Sequence, residues 1–516
     1  MNQVLKTLSV RKRTACAVCL CVLAAAVLAL GMAMPAGDAA ARYMARCLIY
    51  ACAGMLMILA ALAAWPGEKL RSGCRPFILF VLAFGLPYVF GILPLSAPDE
   101  FFHFRATVTL AAQWLHGDAL IDPAYLSVEG FAAHQNTAQT AAAVMNGLFS
   151  EPLTGELVNM AEYCEGAYLR PVAYSVVYLP QAAGAALAML LGLNRMCLYI
   201  LADLCNLLCY TVLVCLAVRL MPQWKTLLSM VATLPMALQQ AASLSSDGMI
   251  NGLAFLLIAQ ILRLAVKRER ITWRNVLPLV LTAVLLAPAK VVYACMLLTL
   301  LILPMDCYRN RKQKWLFLVG TCVAAGCAVL VFQLGSILET AAGGPDAVAG
   351  NVERFTLAYA LGHPAALVRL IVRTHTPNYL YWLAETAVGR ELSGLSLQLY
   401  HGDAWCLWLL LLFTAVAVPE GQMVLRGRDR LVLAATVALV YLGITASMLF
   451  AWTSVSDPVI QGVQGRYFLP VLPLALLALQ GGSVRLKRDR TPWVIGLFAL
   501  MHVVVMMEIV VRTLGL

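Results

Sequence analysis

Residues Pro76–Leu95, PFILFVLAFGLPYVFGILPL, run for twenty residues without a charge. At the rise of an α-helix this is about 30 Å, the depth of a bilayer's hydrocarbon core. The stretch that follows at once is Pro98-Asp99-Glu100-Phe101-Phe102-His103-Phe104. Two adjacent carboxylates at a membrane exit, with an imidazole one turn later, are costly to keep beside lipid. Ionisable groups in such places are functional candidates. Asp99 and His103 stand four residues apart, so on a helix they share a face. That arrangement suits acid–base work, or joint binding of a cation or phosphate.

Runs like Pro76–Leu95 recur. Candidate spans lie near 15–36, 43–65, 76–95, 174–193, 196–218, 226–243, 248–266, 275–288, 291–305, 315–335, 403–420, 431–452, 466–482 and 492–511. The chain of 516 residues is 62% hydrophobic and 12% charged, with a mean hydropathy of +0.82. A soluble domain carries about twice that share of charge. The class is an all-α, polytopic integral membrane protein with about 12–14 transmembrane helices. Three parts are expected: an N-terminal transmembrane pair (1–75), a core (76–482), and a basic loop with a last helix (483–516).

The formal net charge of +11 does not point to nucleic acid. Lys and Arg gather in short loops between apolar runs, where they set topology. Most of the 16 cysteines lie inside apolar runs, where they act as small hydrophobes, and their spacings match no zinc pattern. Lys6, Arg11, Lys12 and Arg13 precede a first run too long for a signal peptide's core, so it reads as a retained helix.

Two segments break the rhythm. Residues 96–170 are mostly polar and acidic, and 336–402 form a second long insertion. Six of the seven histidines fall in these two. The basic clusters at the N-terminus, Lys69–Arg75, Arg309–Lys314, Arg426–Arg430 and Arg485–Arg490 belong inside. Both insertions are then extracytoplasmic, with a cytoplasmic N-terminus. The middle conflicts with this count. Lys267-Arg268-Glu269-Arg270 belongs inside, which is one crossing out of step. Either one segment between 174 and 305 is re-entrant or two short ones form a single kinked span. Pro288 marks the expected break.

Three further motifs carry chemistry. Ser245-Ser246-Asp247 sits between apolar runs, either as an N-cap or as a turn whose N–H groups meet a phosphate. Lys290 stands alone among apolar residues, either snorkelling or meeting a lipid phosphate. Gln464-Gly465-Arg466-Tyr467 opens an outer run. Arg466 there either anchors at headgroups with Tyr467 or clamps a phosphate. No Walker loop, dinucleotide fingerprint or HExxH motif is present, which removes support for ATP-driven transport and zinc proteolysis.

The order Pro98-Asp99-Glu100-x-x-His103-Phe104-x-Ala106, Ser246-Asp247-Gly248, Lys290-x-x-Tyr293 and Gln464-Gly465-Arg466-Tyr467-Phe468-x-Pro470-x-x-Pro473 resembles a bacterial membrane family, domain of unknown function 2142. The resemblance covers roughly residues 76–482. It implies membership of the GT-C clan of membrane glycosyltransferases, which take sugars from polyprenyl-phosphate carriers. By that resemblance the protein is a multi-pass protein of the bacterial cell membrane and an inverting transferase, with a glycan or lipid acceptor. Asp99 is then the catalytic base, with Glu100 and His103 beside it. Arg105, Asp247, Lys290, Gln464, Arg466 and Tyr467 are the candidate substrate-binding residues. A divalent cation (Mg or Mn) is a candidate helper, although one acidic pair is short of a full ligand set. The rival readings are a flippase for lipid-linked glycans and a non-catalytic envelope-assembly protein.

Overall fold

The computed structural model describes residues 2–34, 37–65, 74–117, 120–127, 129, 131, 135–148, 152–159, 174–341, 354–419, 422–482, 484–487 and 490–516. Lys69, Arg71 and His134 of the sequence reading lie outside these residues. Among the described residues, seven helices are long and apolar enough to cross a membrane: Val10–Met32, Ala39–Ala64, Arg195–Leu220, Asp247–Lys267, Arg311–Leu338, Gly427–Trp452 and Thr491–Leu514. Six shorter apolar helices accompany them. Among the described residues, strand is confined to three short two-stranded pairs. The chain is an all-α polytopic membrane protein.

Packing sorts the loops to two ends. At one end Arg13 donates to the carbonyls of Ala63 and Trp65, and Cys74 donates to that of Cys215. Trp224 donates to Gln480, and Met423 to the side chain of Gln223. Arg268 pairs with Asp306 at 2.8 Å. The basic clusters, so far as they are described, therefore share this end. At the opposite end Asn136 bonds Leu93, Gly91 and Thr513. This ties the acidic segment to the ends of helices Arg75–Gly91 and Thr491–Leu514.

That sorting resolves the conflict in the middle of the chain. The expected span 174–193 does not cross. Near its start, Tyr178 bonds His103 at 2.7 Å. At its far end the Leu193 carbonyl accepts from Tyr125, and Asn194 donates to the carbonyls of Gly147 and Leu148. Both ends thus lie against the acidic segment. Helix Leu179–Leu190 has 12 residues, about 18 Å, too short for the hydrocarbon core. It folds back as a hairpin on helix Arg195–Leu220. Gly184 permits the close approach, because a Cβ there would lie 2.4 Å from the Leu201 carbonyl oxygen.

The expected span 226–243 is two helices, Lys225–Ala232 and Pro235–Ala241. Pro235 forces Leu234 into an extended conformation, ψ 148°, and so breaks the rod. Pro288 does not kink a helix. It lies in the turn between helix Trp273–Leu286 and a 3₁₀ helix, Val291–Ile302. A 3₁₀ run of 12 residues is unusual. Its steeper rise carries it about 24 Å, against about 18 Å as an α-helix. The second insertion is also more ordered than a loop, holding helices Leu357–Gly362, Pro364–Thr374 and Pro377–Val388.

Helix Asp247–Lys267 is the central post. Its most apolar window is 83% buried, against 17% for Val10–Met32. Its first residue, Asp247, lies at the end where the acidic segment packs.

Candidate functional site

Asp99 precedes helix Glu100–His116 in the N-cap position, yet its side chain makes no cap bond. Its φ is +59°, a left-handed conformation that Asp tolerates better than most residues. This turns the carboxylate away from its own helix and toward Arg466, whose Nη2 lies 2.7 Å from Oδ2. Glu100 binds backbone outside the helix instead. Its Oε2 accepts from the Ala97 N–H at 2.9 Å, and its Oε1 from the Leu244 N–H at 3.2 Å. Glu100 thereby braces the start of the acidic segment against the turn that leads to Asp247. Burial pushes its carboxyl up to about 7, against the pull of those two N–H groups.

From Arg466 the network continues inward. Its Nε lies 4.0 Å from Asp247 Oδ2. Lys290 Nζ bonds Asp247 Oδ1 at 2.6 Å. Gln240 donates to Asp247 Oδ2 at 2.8 Å, and Asn251 donates to Gln240 at 2.8 Å. The Tyr467 ring underlies both cations, 4.4 Å from Lys290 Nζ and 5.1 Å from Arg466 Cζ. Tyr293 fixes that ring's backbone by donating to the Tyr467 carbonyl at 2.9 Å. Two acids and two bases thus alternate in the order Asp99, Arg466, Asp247, Lys290. Such pairing offsets the large cost of burying each charge alone.

Two readings made from the sequence change. Ser246 occupies the cap position but makes no side-chain cap bond, and Asp247 gives its carboxylate to Lys290 and Gln240. The neutral expectations for the cations also change. Lys290 does not snorkel freely, and the Arg466 side chain, 4% exposed, is too buried to anchor at headgroups. Gly465 makes this burial possible. A Cβ there would sit 2.3 Å from the Ala387 nitrogen and 2.4 Å from the Leu383 oxygen. Bare backbone lets the strap holding Arg466 press against helix Pro377–Val388.

Access differs sharply along the network. The Asp99 side chain is 49% exposed and that of Asp247 10%. Glu100 is 2% exposed. Asp99 is therefore the carboxylate of these three that a substrate can reach. Burial holds the His103 imidazole down to about 4, against the pull of Asp247 and Asp99. It is neutral at physiological pH, with Nδ1 bonded to Tyr178. Lys290, at 32% exposure, opens with Tyr467 onto a cavity of about 540 Å³. Apolar walls including Val292, Ile337, Ile444 and Phe450 face that cavity, with Gln333 and Ser447 among them.

The structure brings together Asp99, His103, Asp247, Lys290, Arg466 and Tyr467. It sets three candidates apart. Glu100 faces backbone. Arg105 is buried and stacks over Phe101 at 5.3 Å, two positions round the helix from His103. Gln464 lies at the start of the Arg466 strap, its Oε1 buried without a partner among the described residues. Gln240, Asn251 and Tyr178 were missed. Gln240 and Asn251 were legible as polar residues within apolar runs. A tyrosine such as Tyr178 gives no such signal. Among the described residues no group of three or more His, Cys, Asp or Glu could hold a metal ion. Asp99 Oδ2 and both Asp247 oxygens already face Arg466, Lys290 and Gln240, and two carboxylates so engaged fall short of the ligand set a divalent cation takes.

The fold and its end-on charged cluster define a polytopic membrane protein with a built polar site beside an apolar cavity. A family model described as "Predicted membrane protein (DUF2142)" matches residues 82–475, and the chain belongs to that family. Every residue of the cluster lies within the matched range. No curated protein and no solved structure matches the chain.

Proposed function

We propose that the protein is a membrane glycosyltransferase that moves a sugar from a polyprenyl-phosphate donor to an extracytoplasmic glycan or lipid acceptor. One observation carries this reading. A half-exposed carboxylate, Asp99, and a partly exposed ammonium, Lys290, are held on one charge network whose Lys290 end opens onto an apolar cavity. A ligand with an anionic head and a long hydrocarbon tail matches that combination. The tail fits between the 3₁₀ helix Val291–Ile302, helix Arg311–Ala341 and helix Gly427–Trp452. The phosphate meets Lys290.

In this scheme the acceptor hydroxyl gives its proton to Asp99. Its oxygen attacks the anomeric carbon from the face opposite the phosphate, and the bond from that carbon to the phosphate oxygen breaks. Configuration inverts, and polyprenyl phosphate leaves with the electron pair, its charge met by Lys290. Arg466 is too enclosed to clamp the phosphate and instead positions Asp99 against Asp247. The gathering of basic clusters at the far end supports a cytoplasmic assignment for that end and an extracytoplasmic one for the site. The bacterial cell membrane is the corresponding location.

The test is Asp99→Asn in the native host, with protein level checked. Surface glycan should be lost while the chain accumulates normally. Unchanged glycan at normal level would overturn the transferase reading. A flippase would tolerate the isosteric amide, since no proton moves to residue 99.

A further inference from the structure

A further charged cavity lies at the opposite end. It holds about 270 Å³ and is lined by Arg268, Lys314, Arg426, Arg428 and Asp429, over a floor of aliphatic residues that includes Val266 and Leu303. Its cations come from three separate places in the chain: the C-cap of helix Asp247–Lys267, the first turn of helix Arg311–Ala341, and the start of helix Gly427–Trp452. Arg268 is already paired with Asp306. Asp429 is the one carboxylate in the lining. Two long helices also direct their N-termini here, adding partial positive charge. Topology alone requires positive charge in these loops; it does not require the charges to converge on one cavity. The rim carries half-exposed Leu301, Met305 and Met423, which places the cavity where apolar surface meets polar.

We propose that this cavity binds the phosphodiester headgroup of an anionic phospholipid. Basic pockets between transmembrane helices at the cytoplasmic side suit such headgroups, and the aliphatic floor and rim receive the upper acyl chains. Three of the elements that wall this cavity also wall the one beside Lys290. Helix Arg311–Ala341 contributes Lys314 here and Gln333 there. Helix Gly427–Trp452 contributes Arg428 here and Ile444 there. The 3₁₀ run reaches from Val291 there to Leu301 here. A bound lipid therefore braces the walls of the site from below.

The test uses the full chain, purified and delipidated in a neutral detergent, with melting followed during titration. The probes are dioleoylphosphatidylglycerol, dioleoylphosphatidylcholine and glycerol 3-phosphate. Dioleoylphosphatidylglycerol should give a saturable rise in melting temperature that the zwitterionic lipid does not. Arg426→Gln/Arg428→Gln should remove that rise. Lys314→Gln should weaken it, and serves as the second variant if the double one folds poorly. Equal protection by both lipids, or undiminished protection of the variants, would overturn the site. Equal protection by glycerol 3-phosphate would overturn the lipid as its occupant. None of these readouts depends on glycan transfer, so failure here and failure of the transferase reading are separable.

Discussion

Asp99 and Glu100 are neighbours in sequence with opposite fates. One left-handed residue sends Asp99 to Arg466, and the start of the helix sends Glu100 into backbone. The burial of Glu100 makes a pH prediction. Its ordinary value is 4.5, and in the folded chain it rises to about 7. The stability it contributes is full below pH 4.5 and is lost as pH rises through 7, because the unfolded chain releases that proton first. Glu100→Gln cannot titrate. The melting temperature of the native chain should therefore fall relative to Glu100→Gln between pH 5 and pH 8, with both followed by thermal unfolding in detergent. His103 works in the opposite sense. Its value drops from 6.5 to about 4, so it erodes stability as pH falls through that window. Both chains keep His103, so its own titration is common to the two curves. Parallel pH curves would refute the assignment.

The strap around Arg466 is a 3₁₀ helix, Gly465–Val471, running into helix Leu472–Ala478. Pro470 and Pro473 suit this irregular entry, since each lacks the N–H that an α-helix would bond. Its fit against helix Pro377–Val388 depends on Gly465, whose absent Cβ leaves room for backbone atoms that cannot rotate away. Gly465→Ala should destabilise the protein by about 1–3 kcal/mol through overpacking. It should also loosen the Asp99–Arg466 contact. A lower melting temperature together with reduced surface glycan is expected. A neutral result would show that the strap can shift.

For the whole molecule, the hairpin 174–193 removes one crossing and brings every described basic cluster to one end. The prediction is read by labelling with a membrane-impermeant maleimide in intact cells, in a Cys164→Ser background that removes the one cysteine of residues 96–170. Glu156→Cys in the acidic segment should label before lysis. Lys312→Cys at the basic end should label only after it. The reverse pattern would invert the orientation, and labelling of both before lysis would break the topology.

Hydropathy settled the class and most of the span positions, because bilayer thickness acts on local composition. Asp99, His103, Asp247, Lys290, Arg466 and Tyr467 are legible too, since ionisable or aromatic residues at membrane exits stand out in an apolar chain. Three things were decided only by the tertiary structure. The failure of 174–193 to cross depends on bonds between residues 46 to 75 positions apart, which no local window contains. The separate tasks of Glu100 and Arg105 depend on which way one turn faces. The pairing of Asp99 with Arg466 joins residues 367 apart. Their partnership exists because two charges leaving water need each other, and only the folded chain determines which opposite charge is within reach.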